Sequence, residues 1–291
     1  MLPCPAALLL FLITLFMPLS AAAAARTAAV LGASGAVGTE VVRSLVDSGW
    51  QVVVLNRRPV DKFTGVDGVT SHIVNMESKA ALESSCEEVM SAAKASALFI
   101  TMGVGAPSKT KGQAGADILE RVDVTLPSVC ARGAKRAGVK HVSILTAVGA
   151  DADAKPDTGD GPFDLIPMAR AGGPLYNNVK GRVENNLKDL GFSTLSTFRP
   201  AALLGTPNTP RFVEIINRIV DPVLPAKYKS SDIAVLADAM VLDSEDKLGK
   251  AEDKLGKAEG ASEFDVFEGE PLHNLYARSK TTKDNIGSKD L

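Results

Sequence analysis

Leu31-Gly32-Ala33-Ser34-Gly35-Ala36-Val37-Gly38 stands between an apolar, strand-like run at 27–30 and a helical pattern, Thr39-Glu40-Val41-Val42-Arg43-Ser44-Leu45-Val46. Glycines at i, i+3 and i+6 between a strand and a helix each have a task. The first permits a tight turn, the second lets backbone approach a pyrophosphate, and the third lets the helix pack on the sheet. The N–H groups at the helix start and the positive end of its dipole then face the phosphates. A bare triplet is more often an ordinary turn, so its surroundings decide. Here a second β-rich run at 51–55 follows the helix and ends in Asn56-Arg57-Arg58, completing a strand–helix–strand unit of the expected length. Gly32, Ser34, Gly35, Val37 and Gly38 are therefore the expected contacts of a bound dinucleotide.

The alternation continues outward from this unit. Strand-like runs at 71–74, 97–101, 141–146 and 193–198 alternate with helical patterns at 79–92, 117–137 and 176–190. Pro127 falls inside the second of these helices and should kink or split it. The pattern predicts an α/β fold, a doubly wound parallel Rossmann sheet over 26–205 with a small C-terminal α-rich substrate subdomain over 206–276. That subdomain would hold helices at 212–220 and 233–242 and a last short strand at 264–267. The heptapeptide Asp246-Lys247-Leu248-Gly249-Lys250-Ala251-Glu252 recurs residue for residue at 253–259. Two copies are too few for a coiled coil, and each carries a helix-weakening glycine. The i,i+4 pairs Asp246/Lys250 and Asp253/Lys257 suit an exposed helix, so 246–259 reads as a solvated surface insertion. The polar stretch 277–291 reads as a disordered tail. Residues 149–174 form a long Asp-, Gly- and Pro-rich loop with an apolar insert, which reads either as a lid over a substrate pocket or as a disordered insertion.

Composition sets the class. The 291 residues are 45% hydrophobic and 23% charged, which suits a globular chain. A net charge of −2 with scattered cations gives no case for nucleic acid. Residues 1–25 hold no charged side chain; an apolar block is broken by Pro18 and followed by Ser20 and five alanines. This resembles a signal peptide, although no Lys or Arg precedes the block. Entry into the secretory pathway, to the endoplasmic reticulum lumen or outside the cell, is the expectation, with no firm membrane contact once the signal is removed. An N-terminal membrane anchor or an organellar address is the alternative. Of three cysteines, Cys86 and Cys130 remain beyond the leader and read as small buried apolar residues. His141 opens a strand without His, Cys or Glu partners at metal-binding spacing, so it reads as structural and no metal site is expected.

Chemistry enters with Tyr176-Asn177-Asn178-Val179-Lys180, which sets a phenol and an ammonium at i and i+4 on one helix face. Free tyrosine titrates near about pH 10, and a neighbouring lysine cation lowers that value by favouring tyrosinate. The pair can give a proton to a carbonyl oxygen or take one from an alcohol. Thr146, ending its strand, can supply a hydroxyl to the same oxygen; Ser143, deeper in the strand, is the alternative. Arg57 and Arg58 stand where an acidic residue would bind ribose hydroxyls, and their planar cationic forks favour the 2′-phosphate of NADP, with NAD the alternative.

With these motifs in place the chain resembles the short-chain dehydrogenase/reductase superfamily. Within it, the nearest likeness is to the atypical branch of Tat-interacting-protein-like oxidoreductases. The resemblance rests on 32–38 with Asn56-Arg57-Arg58, on 111–116 with Arg121-Val122-Asp123, on Lys140-His141 through Asp151, on Tyr176 to Glu184, and on Phe198-Arg199-Pro200. It implies an NADP-binding domain with Tyr176 as acid/base, Lys180 also holding the nicotinamide ribose, and Thr146 in the place of the family's Ser or Thr. Met102 and Gly103 would line the cofactor, the backbone from Pro200 to Leu203 would meet the carboxamide, and Asn75-Met76 would lie beside adenine. A small carbonyl or alcohol is the implied substrate. Other readings are a cofactor-sensing regulatory or binding protein, with a protein partner or a homo-oligomer, and an NAD-dependent epimerase or dehydratase.

Overall fold

The computed structural model describes residues 26–104, 112–155, 173–207, 209–253 and 262–287. Seven parallel strands form its main sheet: β1 (Thr27–Leu31), β2 (Gln51–Asn56), β3 (Val69–Ile73), β4 (Ala97–Ile100), β5 (His141–Leu145), β6 (Thr194–Phe198) and β9 (Glu263–Phe267), in the order β3-β2-β1-β4-β5-β6-β9. The chain crosses from β3 to β4 past β1, so the order reverses between β1 and β4. At such a point the loops leaving the carboxyl ends of the two strands diverge and leave a crevice.

Alternation along the strands divides the core in two. Ala28 and Val30 of β1 join Val52, Val54, Ala97 and Phe99 beneath α1 (Ala36–Asp47), α7 (Ile233–Asp253) and α8 (Glu270–Gly287). Ala29 and Leu31 join Val53, Leu55, Leu98 and Ile100 beneath α2 (Lys79–Ala92), α4 (Leu126–Arg136) and α5 (Pro174–Asp189). Successive side chains point to opposite faces, and a sheet covered on both needs apolar residues at every position. The central runs in β1, β2 and β4 are almost continuously hydrophobic for this reason, whereas β3, at the sheet edge, carries exposed Thr70, Ser71 and His72.

Pro127 does interrupt its helix. α3 (Gly112–Leu119) passes into a widened π turn at Glu120–Thr125, and α4 then begins with Pro127 in its first turn. A proline lacks the N–H that would reach the carbonyl of Asp123, four residues back, and its ring crowds that carbonyl. The wide turn relieves both problems. Cys86 and Cys130 are free and buried among the same helices. His141 is fully buried against Thr194, and burial followed by the Lys247 charge lowers its pKa to about 3.

The C-terminal third departs from the sequence expectations. β9 extends the main sheet beside β6, with Phe267 stacked on Phe198, and α7 packs across α1. The division at 205 therefore separates no second core. Among the described residues, β7 (Leu203–Leu204) and β8 (Ser231–Asp232) pair as a separate two-stranded sheet, and α6 (Arg211–Val220) lies between them along the chain. The first heptapeptide copy is not a surface insertion: it continues α7, where Leu236, Met240, Ser244 and Leu248 form one buried stripe at four-residue spacing. Asp246 pairs with Arg278 at 2.7 Å. Nor is 277–287 disordered, because Leu272, Leu275, Tyr276 and Ser279 give α8 a buried face at i, i+3, i+4 and i+7. Most of the second copy, residues 156–172 of the expected lid, and the leader lie outside the described residues.

Candidate functional site

The glycine loop has the geometry its spacing requires. Gly32 has φ +96°, in the left-handed region, and a Cβ there would lie 2.6 Å from the Met102 backbone nitrogen. A Cβ on Gly38 would lie 2.6 Å from the Thr101 hydroxyl. Gly35 is the cap residue of α1, so no side chain caps this helix, and no acid occupies its first turn. Among the described residues no side chain caps its N-terminus, which lies beside a cradle that a Cβ would crowd, and this fits a pyrophosphate. Ser34 is exposed over the loop, whereas Val37 turns its side chain into the core and offers only backbone.

Just beyond β2, Arg57 and Arg58 are exposed and without an ion-pair partner among the described residues. Lys62 adds a cation at the start of α1, where it donates to the Thr39 hydroxyl at 2.8 Å. Sequence spacing gave no signal for it. Asn56 is buried and its amide donates to Ser71, fastening β2 to β3. The Asn75 side-chain oxygen accepts from the Glu77 backbone at 2.9 Å, closing its own turn. Met76 lines a cleft of about 440 Å³ with Lys79, Leu82, Arg121, Thr125 and Leu126.

At the other end, α5 brings Tyr176 and Lys180 together. The Lys180 ammonium lies 5.5 Å from the centre of the Tyr176 ring and 2.6 Å from Asp123, whose side chain is wholly buried. Asp123 comes from the π turn, and its other oxygen accepts from the Val104 backbone at 3.0 Å. Burial pulls the Lys180 pKa down, but the neighbouring Tyr176 and Asp123 more than offset this, and the ammonium is held above the ordinary lysine value. A Cβ on Gly103 would lie 3.1 Å from Asp123 and 3.5 Å from the ammonium. Gly32 against Met102, and Gly103 against Lys180, make the glycine loop and the phenol–ammonium pair parts of one crevice at the β1/β4 switch. Asp123 is the residue that sequence reasoning left without a role.

Thr146 is placed differently. It has the parity of Val142 and Ile144, so it faces α5, and its buried hydroxyl donates to Glu184 at 2.6 Å. Glu184 lies one helical turn beyond Lys180 and pairs with Arg199, which also reaches Glu268 at 3.5 Å. Burial depresses the Arg199 pKa, but the two carboxylates raise it further than burial lowers it. Ser143 is fully buried. Pro200 accepts from the Val148 backbone at 3.0 Å, and Leu203 begins β7.

This crevice is what a nicotinamide nucleotide requires, and a family model described as NAD(P)H-binding matches residues 32–218. The chain belongs to the NAD(P)H-binding family. Among its relatives is Protein HTATIP2 of Rattus norvegicus, 27% identical over 205 residues that cover 69% of this chain and 72% of that protein. The fold of this NAD(P)H-binding chain is also that of solved structures with a bound nicotinamide nucleotide. ElxO with NADP bound matches with a TM-score of 0.58 at 9% identity, covering 86% of this chain and 99% of that one. MoeE5 in complex with UDP-glucose and NAD matches at 0.52 and 18% identity, covering 82% and 74%. The resemblance to the atypical short-chain dehydrogenases/reductases and their Rossmann fold therefore holds.

Proposed function

We propose that the chain is an NADP-dependent oxidoreductase that interconverts a small carbonyl compound and its alcohol. The observation that carries this reading is the Tyr176–Lys180–Asp123 cluster at the same crevice as the glycine loop. A bound nicotinamide supplies or accepts the hydride. Tyr176 would give its phenolic proton to the carbonyl oxygen as the carbonyl carbon is reduced, and take a proton from the alcohol in the reverse direction. Lys180 stabilises the tyrosinate left behind, and Asp123 fixes the ammonium in place. Arg57, Arg58 and Lys62 support NADP over NAD, because three cations favour an added phosphate.

Fluorescence titration with NADPH and NADH, followed by turnover on a carbonyl panel, tests this. NADPH should bind more tightly, and Tyr176→Phe should abolish turnover while leaving nucleotide binding intact. Unchanged turnover in Tyr176→Phe would refute the mechanism. A second reading, a cofactor-sensing protein with little turnover, draws on Thr146: its hydroxyl is already committed to Glu184. Robust turnover dependent on Tyr176 would rule it out. Entry into the secretory pathway remains part of the proposal and is read by sequencing the mature N-terminus, which should begin near Arg26.

A further inference from the structure

α6 wears its apolar residues on the outside. Phe212, Ile215, Ile216 and Ile219 recur at i, i+3, i+4 and i+7, the spacing that buries α8 against α7. Here they are 64%, 58%, 47% and 71% exposed, and it is Asn217 that turns inward. Val223, at 82%, extends the ridge beyond the helix end. An exposed apolar stripe of this size calls for an occupant.

Charge identifies one. Arg211 and Arg218 are exposed on the helix itself, and Lys227, half-exposed, follows and shares Glu268. Both acids of the segment are spent on holding the chain. Glu214 accepts from the Gly205 backbone at 2.9 Å, and Asp221 accepts from the backbone and hydroxyl of Ser230. A chain of net charge −2 therefore presents an apolar ridge rimmed by cations.

We propose that α6 docks on an anionic lipid surface, its apolar ridge lying in the boundary between headgroups and acyl chains. Amphipathic helices with cationic rims bind in this way, and their binding combines apolar burial with attraction to anionic lipid. A second copy fits less well. A two-fold contact along this ridge would bring two sets of arginines together, while the acids of the segment, Glu214 and Asp221, are already engaged by Gly205 and Ser230. At 10 residues α6 is too short to cross a bilayer, so its contact is one of lying on the surface. It revises the expectation of no firm membrane contact, and it is independent of the proposed reaction.

The test is co-sedimentation of the full chain with vesicles of phosphatidylcholine alone and of phosphatidylcholine with about 30% phosphatidylserine. Binding to the anionic vesicles should be about tenfold tighter and should fall with added salt. The leader carries no charge, so binding through it would follow neither pattern. Ile215→Glu with Ile219→Glu should lower binding about tenfold, and Arg211→Gln with Arg218→Gln should bring anionic vesicles down to the level of the neutral ones. All four positions are exposed, and thermal unfolding should be unchanged. Equal binding to both vesicle types, or full binding by either double variant, would overturn the proposal. So would a wild-type dimer, seen by light scattering, that the Ile215→Glu/Ile219→Glu change dissociates while vesicle binding is absent throughout.

Discussion

Among the described residues two lysines are buried to nearly the same degree, Lys180 at 4% exposure and Lys247 at 5%. Both have pKa values that burial lowers and acidic neighbours raise by more, so both ammonium groups stay charged. Their partners differ. Lys180 is met by one carboxylate, Asp123, that has no exposed side-chain surface, and by the Tyr176 ring. Lys247 is met by Glu263 and Asp265 of β9, whose side chains are 46% and 40% exposed. The first pair lies against Gly103 in the crevice; the second fastens a helix to the outermost strand. A buried cation alone does not indicate function. What distinguishes these two is the phenol beside one of them and the crevice it faces.

Removing each ammonium should separate the roles. Lys180→Met should cut turnover by about 10²- to 10⁴-fold, as loss of the group that supports a general acid/base does. It should also cost about 3–5 kcal/mol of stability by stranding the Asp123 carboxylate, measured by denaturant unfolding. The double change Lys180→Met/Asp123→Leu should recover most of that stability and none of the turnover. Recovery of both would break the contrast. Lys247→Met should cost less, about 1–3 kcal/mol, because its partners reach water, and turnover per folded molecule should stay within about twofold.

The surroundings of Lys247 also titrate. Burial first, with Asp265 and Asp246 adding to it against Ser196 and Lys247, raises the Asp243 pKa from 3.8 to about 6. The native state then holds a proton that the unfolded chain has released, so this group's stabilisation is lost as pH rises from about 4 to 6. His141, lowered from 6.5 to about 3, acts in the opposite sense, and its contribution grows over the same interval. The two nearly cancel in the wild type. Asp243→Asn should remove the opposing contribution, so stability measured from pH 4 to 6 should climb more steeply, by on the order of 2 kcal/mol across the interval. The smallest effect belongs to Thr146→Val. It removes one donor from Glu184, which keeps Arg199, and should cost about 1 kcal/mol with far less loss of turnover than Tyr176→Phe.

The crevice was legible where local spacing dictates geometry. The glycine loop, the strands β1 to β6 and the Tyr176–Lys180 pair all follow from periods of two and 3.6 or from glycines where a Cβ would collide. Asp123 was not legible as a partner of Lys180, because a π turn sets its direction and only tertiary packing brings it to α5. Thr146 shows a different failure. Depth along β5 suggested an open hydroxyl, whereas the parity of Val142 and Ile144 already assigns it to the α5 face. In the C-terminal third, polar composition hid real periodicity: Lys247, Leu248 and Ser279 are buried by a sheet and helices that the local sequence does not announce.

The packing of α7 on α1 bears on how the chain folds. Ser44 bonds Asp238 and Trp50 bonds Glu245, each across more than 190 residues of chain. Val41 and Leu45 of the first strand–helix–strand unit share a core with Leu236, Met240 and Leu248. During synthesis that face of the unit stays open until α7, more than 190 residues further along the chain, has emerged. Such long-range closure is slow and leaves apolar surface exposed meanwhile. A fragment ending at 205 would carry the entire glycine loop and still lack its cover. The unit that carries the glycine loop is made long before the helix that covers it.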